Sequence, residues 1–358
     1  LFQAGITSIS STAALPDGGL GGKWSVNPGA GLIVGNAVSD TDFDTIRTTG
    51  TWASGSYVGF DTSAGNRDYG GTITGLRGLT KIGTGTLTLS GSNSYSTATV
   101  VREGTLRLGV AGALPTTGPV SLVSNGFGSG SLDLAVSATT SGAVTVSGSS
   151  SAIFGVGTLT AASYTFNNSS GITSASAILA GASATLTKSN PGTLVLTGEN
   201  TFGGKPTIGD GTVEIASLAD TGVSGPLGTN ATIDLGSGTA TGILRFVNTA
   251  AVSTNRGFQL AGTTGGGGFE ANGTADVTLG NVGAAAGTKT FILAGSSTAT
   301  NAIGTIAGTG VSVDKTGAVT WWLTGNSSYT GQLRVLDGTL VVGANVAGSG
   351  ASPFGAAV

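Results

Sequence analysis

One block of sequence recurs three times along the chain without an insertion, near residues 78–109, 185–216 and 312–343. Each block has a lysine close to its start (Lys81, Lys188 and Lys315), and every later marker keeps its distance from that lysine. The markers are a glycine (Gly91, Gly198, Gly325), an aromatic residue (Tyr95, Phe202, Tyr329) and a second glycine (Gly104, Gly211, Gly338). The interval from Lys81 to Lys188 is shorter than that from Lys188 to Lys315, so the block is fixed in length and the spacer varies. Such an array predicts a stack of repeated structural units.

Two short strands are predicted in each block, at a constant offset from each other. The paired positions are Leu87 and Leu106, Leu194 and Val213, and Trp321 and Leu340. Threonine and aliphatic residues alternate there as in a half-buried strand, while glycine interrupts nearly every window that could hold a helix. A coil of about 20 residues would stack each strand on its equivalent one turn later. We therefore predict an all-β chain, a parallel β-helix or β-solenoid over residues 78–358, with residues 1–77 as an N-terminal β region leading into it.

A Greek-key sandwich, or a tandem of sandwiches, is the alternative fold, because it also has short strands with turn signals about every 8 to 12 residues. Sandwich domains do not require blocks of fixed length separated by variable spacers. They also usually contain more aromatic and charged residues than the 6% and 9% of this chain. The repeat therefore favours the β-helix.

The composition excludes several kinds of chemistry. The chain has no His and no Cys, so it cannot form a Ser-His-Asp triad, a thiolate nucleophile or a zinc site with nitrogen and sulfur ligands. Its 14 Lys and Arg residues are scattered and its net charge is −3, which argues against a nucleic-acid partner. No run approaches the roughly 18 apolar residues of a membrane-spanning helix, so no membrane span is predicted.

The markers of the first block are Lys81, the segment Gly85–Gly91 (GTLTLSG), Tyr95 and Glu103-Gly104-Thr105-Leu106, with two further matches at Lys188 and Lys315. Together with spacer pieces such as Gly225-Pro226-Leu227-Gly228 and Asn301–Gly304, this pattern resembles the autotransporter-associated, or passenger-associated, β-strand repeat of long exported bacterial surface proteins. The resemblance implies an exported, right-handed β-helical stalk. It defines no catalytic residues.

The spacer motif at Gly225–Gly228 recurs as Ser352-Pro353-Phe354-Gly355, at the same interval that separates Lys188 from Lys315. We expect the chain to end at the start of a further repeat, as a piece of a longer protein or as an end that abuts a neighbouring chain. Unpaired strand edges at the end of a solenoid invite the addition of another chain. We therefore expect head-to-tail self-association.

Asp40, Asp42 and Asp44 are a candidate calcium site. On a strand, side chains at alternating positions project from one face, where three carboxylates could bind Ca²⁺ through oxygen. The spacing is like the start of a calcium-binding loop, but the glycine and the closing glutamate of that motif are absent. A solvated acidic turn ahead of the repeats is the alternative.

Trp321 and Trp322 occupy the positions that Leu87 and Thr88 have in the first block. In-and-out alternation predicts that Trp321 lies in the core and that Trp322 points outward. An exposed indole could stack on a sugar or contact another subunit; the alternative is that Trp322 lies under a loop or closes a coil corner. The three lysines recur with the repeat, which indicates a structural role such as binding the carbonyls of coil corners.

We expect an extracellular structural β-solenoid that forms a stalk, coat or head-to-tail filament at the bacterial surface and is not an enzyme. The first alternative is an adhesin that binds glycans. The second is a β-helical polysaccharide lyase or hydrolase, which would need clustered acidic and basic groups, whereas most of the 17 acidic residues are isolated. No cofactor is expected apart from the candidate calcium ion.

Overall fold

A computed structural model of the chain describes residues 5–19, 21–124, 126, 128–140 and 142–343. These residues form 38 short strands that pair in parallel, with very little helix. The fold is a β-solenoid, as the repeat predicted; the right-handed sense implied by the resemblance stays a prediction. The chain divides into two compact units, Leu1–Tyr164 with Thr173–Ile178 and Thr165–Ile172 with Leu179–Val358.

The first unit contains the α-helix α1 (Asp40–Thr49), two short 3-10 helices (Thr12–Ala14 and Pro16–Gly19) and eighteen strands. The strands are β1 (Ile6–Ile9), β2 (Ser25–Val26), β3 (Gly31–Gly35), β4 (Thr51–Trp52), β5 (Ser56–Asp61), β6 (Arg67–Tyr69), β7 (Thr74–Gly75), β8 (Arg77–Ile82), β9 (Thr86–Leu89), β10 (Ser94–Tyr95), β11 (Thr99–Val101), β12 (Gly104–Leu108), β13 (Val120–Leu122), β14 (Gly130–Leu134), β15 (Ala138–Thr139), β16 (Ala143–Val146), β17 (Ala152–Gly155) and β18 (Thr158–Thr160). Three more strands, β19 (Ser163–Phe166), β20 (Ile172–Ala175) and β21 (Ile178–Ala180), have residues in both units.

The second unit contains seventeen strands. They are β22 (Thr185–Lys188), β23 (Thr193–Leu196), β24 (Thr207–Ile208), β25 (Gly211–Ile215), β26 (Thr232–Leu235), β27 (Gly242–Phe246), β28 (Val252–Ser253), β29 (Gly257–Leu260), β30 (Gly267–Ala271), β31 (Val277–Leu279), β32 (Val282–Ala284), β33 (Lys289–Gly295), β34 (Asn301–Ile303), β35 (Val311–Lys315), β36 (Thr320–Leu323), β37 (Leu333–Val335) and β38 (Thr339–Val342).

The strands of each unit are arranged in long parallel ladders. In the first unit the main ladders run β1-β3-β5-β8-β11-β13-β16 and β6-β9-β12-β14-β17, beside the short pairs β2-β4, β7-β10 and β15-β18. In the second unit they run β22-β24-β26-β29-β32, β23-β25-β27-β30-β33-β35-β37 and β28-β31-β34-β36-β38. Since neighbours in a ladder are one coil apart in sequence, the backbone hydrogen bonds join each coil to the next.

The constant offset between the two strands of a block is the strand register. Leu106 pairs with Leu87, and Val213 pairs with Leu194. In the third block Leu340 pairs with Trp321. All three pairs predicted from the sequence are therefore confirmed as residues stacked one coil apart.

The core consists of columns of apolar side chains that follow this register. Leu87, Leu106, Leu132 and Ile153 pair in succession along one ladder of the first unit, and all four are fully buried. Burial of one such side chain contributes roughly 1.5–3 kcal/mol. The stacked columns therefore provide the packing that this cysteine-free chain needs.

Spacers of different length are accommodated as loops between coils. The coil from Leu194 to its partner Val213 has the length found in every block, whereas the next coil, from Val213 to Leu244, is longer. The loop before β26, residues 216–231, is longer than its counterpart 197–206 and contains the spacer motif Gly225–Gly228, and the turn after β26, residues 236–241, is longer than its counterpart 209–210. The ladder register therefore continues through an insertion that changes only the outline of the coil.

The region before residue 78 already contributes strands to the ladders, namely β1, β3, β5 and β6. It also contains α1, the one α-helix in the described part of the chain, where the sequence analysis placed a strand or turn. The helix forms because the Ser39 side chain accepts a hydrogen bond from the amide of Asp42 at 3.1 Å and because Phe43 and Ile46 are buried. The N-cap and the buried face together outweigh the modest helix propensity of this segment.

The second copy of the spacer motif, Ser352–Gly355, lies outside the described residues, so the expected start of a further repeat stays a prediction. Over the described ranges, no helix is both long enough and apolar enough to cross a membrane.

Candidate functional site

The repeat lysines lie at coil corners with their ammonium groups enclosed by backbone carbonyls. Lys81 is fully buried at the end of β8. Its Nζ donates to the carbonyls of Ile82 at 3.1 Å and Gly83 at 2.6 Å. It also reaches the carbonyl of Glu103 at 2.9 Å and the hydroxyl of Thr62 at 2.7 Å. Four oxygens thus surround one buried ammonium group.

The other two blocks repeat this arrangement, with each lysine bound to three carbonyls at the same sequence offsets. For Lys188 these are Ser189 at 2.8 Å, Asn190 at 2.5 Å and Asp210 at 3.5 Å, and for Lys315 they are Thr316 at 2.9 Å, Gly317 at 2.7 Å and Asp337 at 2.9 Å. The recurrence of these lysines predicted a structural role such as binding the carbonyls of coil corners, and the contacts confirm it.

The second glycine of each block follows directly after the third of these carbonyls. Gly104, Gly211 and Gly338 have φ of 66°, 71° and 71°, a left-handed conformation that favours glycine. A Cβ at any of the three would clash with the carbonyl two residues after the block lysine. The lysine and the glycine therefore belong to the same coil corner. Because the glycine has no Cβ, there is room for the carbonyl two residues after the lysine, which the ammonium group binds.

Burial shifts the titration of these lysines. Desolvation lowers the pKa of Lys81 to about 8, although the carboxylates of Glu103 and Asp61 act in the opposite direction. It also lowers the pKa of Lys188 to about 8. The pKa of Lys315 is lowered by the same cause. The pKa is lowered in all three because the corner has the same structure in each block. A pKa that differs between the folded and unfolded chain makes the stability depend on pH.

A buried amide or hydroxyl at a constant offset after each lysine was not indicated by the sequence analysis. The Asn93 side chain accepts from the amide of Ile73 at 2.8 Å and donates to the carbonyl of Ala113 at 2.8 Å. The side chain of Asn200 accepts from the amide of Leu179 at 2.8 Å. Ser327 takes the same place in the third block. The constant offset was the signal that could have identified this position.

The aromatic marker of each block is buried, but only two of the three copies carry a hydroxyl, and the surroundings of those two hydroxyls differ. The Tyr95 hydroxyl lies 2.6 Å from the hydroxyl of Thr99. In the second block Phe202 is buried and has no hydroxyl. The hydroxyl of Tyr329 is buried without a hydrogen-bond partner among the described residues. Burial raises the pKa of Tyr329 to about 12.

A fully buried arginine holds the longest described loop of the second unit. The Arg256 guanidinium donates to the carbonyls of Leu227 at 3.1 Å, Val223 at 3.3 Å and Asp220 at 3.5 Å, and to that of Gly228. These carbonyls span the spacer motif. The Asn200 side chain also donates to the carbonyl of Pro226 at 2.7 Å, and the Asn255 side chain accepts from the amide of Thr221 at 2.9 Å, so Arg256 shares the loop with neighbouring side chains. Nothing in the local sequence pattern points to Arg256, because its partners belong to the preceding coil.

The three candidate calcium ligands do not share one face, because they lie in α1 and not on a strand. The Asp40 carboxylate forms an ion pair with Arg67 at 2.6 Å. Asp42 accepts from the hydroxyl of Ser39 at 2.8 Å, and Asp44 accepts from that of Tyr69 at 2.5 Å. In the described ranges no three His, Cys, Asp or Glu side chains group so that they could hold a metal ion. The predicted strand geometry is wrong, and calcium binding itself stays a prediction.

The two tryptophans alternate as predicted. Trp321 is fully buried, and its indole N–H donates to the carbonyl of Ala294 at 3.1 Å. Trp322 is 39% exposed on the outer face of β36. Its partners in the ladder are Ala302 on one side and Val341 on the other. The alternation is confirmed, while a role of Trp322 in contacts stays a prediction.

Comparison with known proteins identifies the repeat blocks. The family model described as passenger-associated-transport-repeat matches residues 79–108, 186–215 and 313–342, which confirms the resemblance found in the sequence. The adhesin BmaC autotransporter of Brucella suis biovar 1 (strain 1330) is 34% identical over 329 residues. The alignment covers 88% of this chain and 9% of that relative. No solved structure matches the chain.

Proposed function

The three repeat blocks of this chain belong to the passenger-associated-transport-repeat family, and from that premise we propose that the chain is part of the passenger of an exported protein at the bacterial surface. In this proposal the β-solenoid is a stalk that carries adhesive surface away from the cell. The name of the Brucella relative, an adhesin, supports the adhesive part. The chain spans only 9% of that relative, so the proposal concerns this segment.

The observation that carries the proposal is the lysine corner, made three times with the same contacts. A stalk must resist separation of its coils along the axis. Parallel ladders place backbone hydrogen bonds along that direction. The corner lysines add contacts between one coil and the next, and buried apolar side chains such as Leu87 and Leu106 stack from coil to coil. These features favour a mechanical role.

We propose no catalytic activity for this segment. Charged side chains on the outer faces of the described strands contact groups of opposite sign: Arg107 pairs with Asp133, and Arg245 lies between Glu270 at 2.6 Å and Glu214 at 3.5 Å. A glycosidase-like site would instead place two carboxyl groups beside each other at a cleft. Ion pairs of this kind are typical of the solvated outer surface of a structural protein, and they support a scaffold role for this segment.

Head-to-tail association of such segments into a filament is the finer form of the proposal. Electron microscopy of the purified chain tests it directly. Uniform fibres that lengthen with protein concentration would support a filament. Short particles that stay single at every concentration would contradict self-association, and the proposal of a stalk would remain.

Labelling of intact cells tests surface exposure. Antibodies raised against the purified chain should label unpermeabilised cells of the source bacterium, and external protease should remove the signal. An antibody against a cytoplasmic protein, which labels only permeabilised cells, is the control for cell integrity. Signal for this chain that also requires permeabilisation would contradict the proposal.

A further inference from the structure

The exposed indole of Trp322 lies on an outer face of a sheet in the second unit. It is 39% exposed, on the ladder formed by β28, β31, β34, β36 and β38. The neighbouring outward position on β34 is Ala302, whose small side chain does not rise above the sheet. The neighbour on that side is therefore small, and the buried Trp321 precedes Trp322 in the same strand.

Threonines surround this indole on the same face. Thr320 and Thr324 flank Trp322 two residues away on either side, and positions two apart on a strand point to the same side. Thr339 pairs with Thr320 on the next coil. Thr278 pairs with Ala302 on the other side and is exposed. With strands about 4.8 Å apart and residues about 3.3 Å apart, the Cα atoms of these threonines lie roughly 7 to 10 Å from that of Trp322.

We propose that Trp322 and the four threonines around it, Thr278, Thr320, Thr324 and Thr339 (the threonine frame), bind one uncharged pyranose ring of a glycan. The C–H face of the sugar would stack on the indole, and the sugar hydroxyls would bind the threonines. An aromatic ring offers an apolar body of sugar size. The Thr324 hydroxyl donates to the carbonyl of Ile303 at 2.9 Å, so its oxygen can accept from a ligand. No member of the frame is charged, which favours a neutral sugar.

The size of the patch argues against a protein partner. A tryptophan side chain presents about 150–250 Å², so 39% exposure leaves roughly 60–100 Å² of indole surface. A stable protein interface needs on the order of 800 Å² on each partner, and apart from Val341 the residues around the ring are small or hydroxylated. One sugar ring matches this area, and repeated rings of a polysaccharide would raise the apparent affinity.

Saturation-transfer NMR with the purified chain tests the proposal, using maltohexaose, cellohexaose and a β-1,3-linked glucose hexamer as probes. We expect saturation of the C–H protons on one face of a sugar ring, at least about a tenfold weaker signal in Trp322→Ala, and partial retention in Trp322→Phe. Val156→Ala is the matched control, because Val156 is an exposed apolar residue of the other unit and its loss should not change binding. Trp322 is outside the core, so the circular dichroism of Trp322→Ala should equal that of the parent chain.

Absence of transfer to all three hexasaccharides, or equal transfer in Trp322→Ala, would overturn the proposal, as would binding of sialyllactose alone. The inference deepens the proposed adhesive function, but its failure is distinguishable. A chain that labels on intact cells and binds none of the sugars leaves the surface stalk intact. A chain that binds sugars and is absent from the surface contradicts the stalk and keeps the sugar site.

Discussion

The ammonium group of Lys81 lies 2.9 Å from the carbonyl oxygen of Glu103, a residue of the next coil. The register shows this directly, because Lys81 itself pairs with Val101. Lys315 has the same relation to Asp337, again at 2.9 Å. The lysine is therefore a link between successive coils, and its removal should weaken the coil on both sides.

Lys188→Met should destabilise the second unit. The substitution keeps an unbranched side chain but leaves the carbonyls of Ser189 and Asn190 without their donor. An unpaired buried carbonyl costs about 1–3 kcal/mol, and loss of a buried charge offsets part of this, so we expect a fall of about 2–4 kcal/mol in the free energy of unfolding. Urea unfolding followed by circular dichroism measures it. Lys23→Met is the control, since the Lys23 side chain is 71% exposed; equal stability of the two variants would contradict the structural role.

Stability should rise between about pH 8 and pH 10. Lys81 and Lys188 have pKa values near 8 in the folded chain against an ordinary 10.5, so in this range the unfolded chain binds more protons. Stability then rises with pH; below pH 8 the lysines are protonated in both states and contribute no slope. Above pH 10 the buried Tyr95, whose pKa is raised by desolvation, acts in the opposite sense and stability should fall.

Urea unfolding at pH 7, 8, 9 and 10 measures this profile. A pKa difference of one unit corresponds to about 1.4 kcal/mol, so the two lysines together should add a few kcal/mol across the window. In the double variant Lys81→Met, Lys188→Met the rise should be largely lost, whereas Lys23→Met should keep it. A flat profile in the parent chain would show that the carbonyls hold these ammonium groups charged at all these pH values.

Removal of the tyrosine hydroxyl should have opposite effects in two copies of the repeat. Tyr95→Phe leaves the Thr99 hydroxyl, which is 2% exposed, without its partner at 2.6 Å, and should cost about 1–2 kcal/mol. Tyr329→Phe removes a buried hydroxyl that has no partner in the described part of the chain, and should be neutral or stabilising by up to about 1 kcal/mol. The second block, with Phe202, already has this arrangement.

Thermal unfolding of the two single variants tests the comparison, because each variant is the matched control of the other. Both lose one oxygen atom from an equivalent position of the repeat, so a general effect of the substitution cancels. Equal destabilisation in both would mean that the Tyr329 hydroxyl has a hydrogen bond in solution, and the stated difference between the copies would be wrong.

The sequence was sufficient for the repeat, the register and the direction of the tryptophans. These features follow from local periodicity: the constant offset within a block aligns Leu87 with Leu106 whatever the spacers do. The helix α1 could not be predicted in the same way. Its Asp residues at alternating positions are compatible with a strand, and the helix depends on burial of Phe43 against Phe60, with ring centroids 4.4 Å apart. That contact joins α1 to β5, and β4 lies between them in the sequence, so the local pattern does not show it.

The ladder to which each strand of a block belongs could not be predicted from the sequence either. Lys81 and Lys188 belong to one ladder of their units, with Leu87 and Leu194 on the second. Lys315, however, lies on the second ladder, and Trp321 lies on a third. The block therefore specifies a corner between two strands, and the variable spacers decide which ladders meet there. Sequence spacing alone does not contain that choice.

The loop bound by Arg256 should become mobile when that side chain is lost. The guanidinium is fully buried and binds the carbonyls of Asp220, Val223 and Leu227; a hydrogen bond from a charged donor contributes about 1.5–3 kcal/mol. In Arg256→Met we expect amide hydrogen exchange across residues 220–228 to accelerate at least about tenfold, measured by mass spectrometry. Arg107→Met, at a surface ion pair of the first unit, is the control and should leave this exchange unchanged. Unaltered exchange in Arg256→Met would mean that the loop is held without Arg256, by its backbone contacts and by side chains such as Asn200 and Asn255.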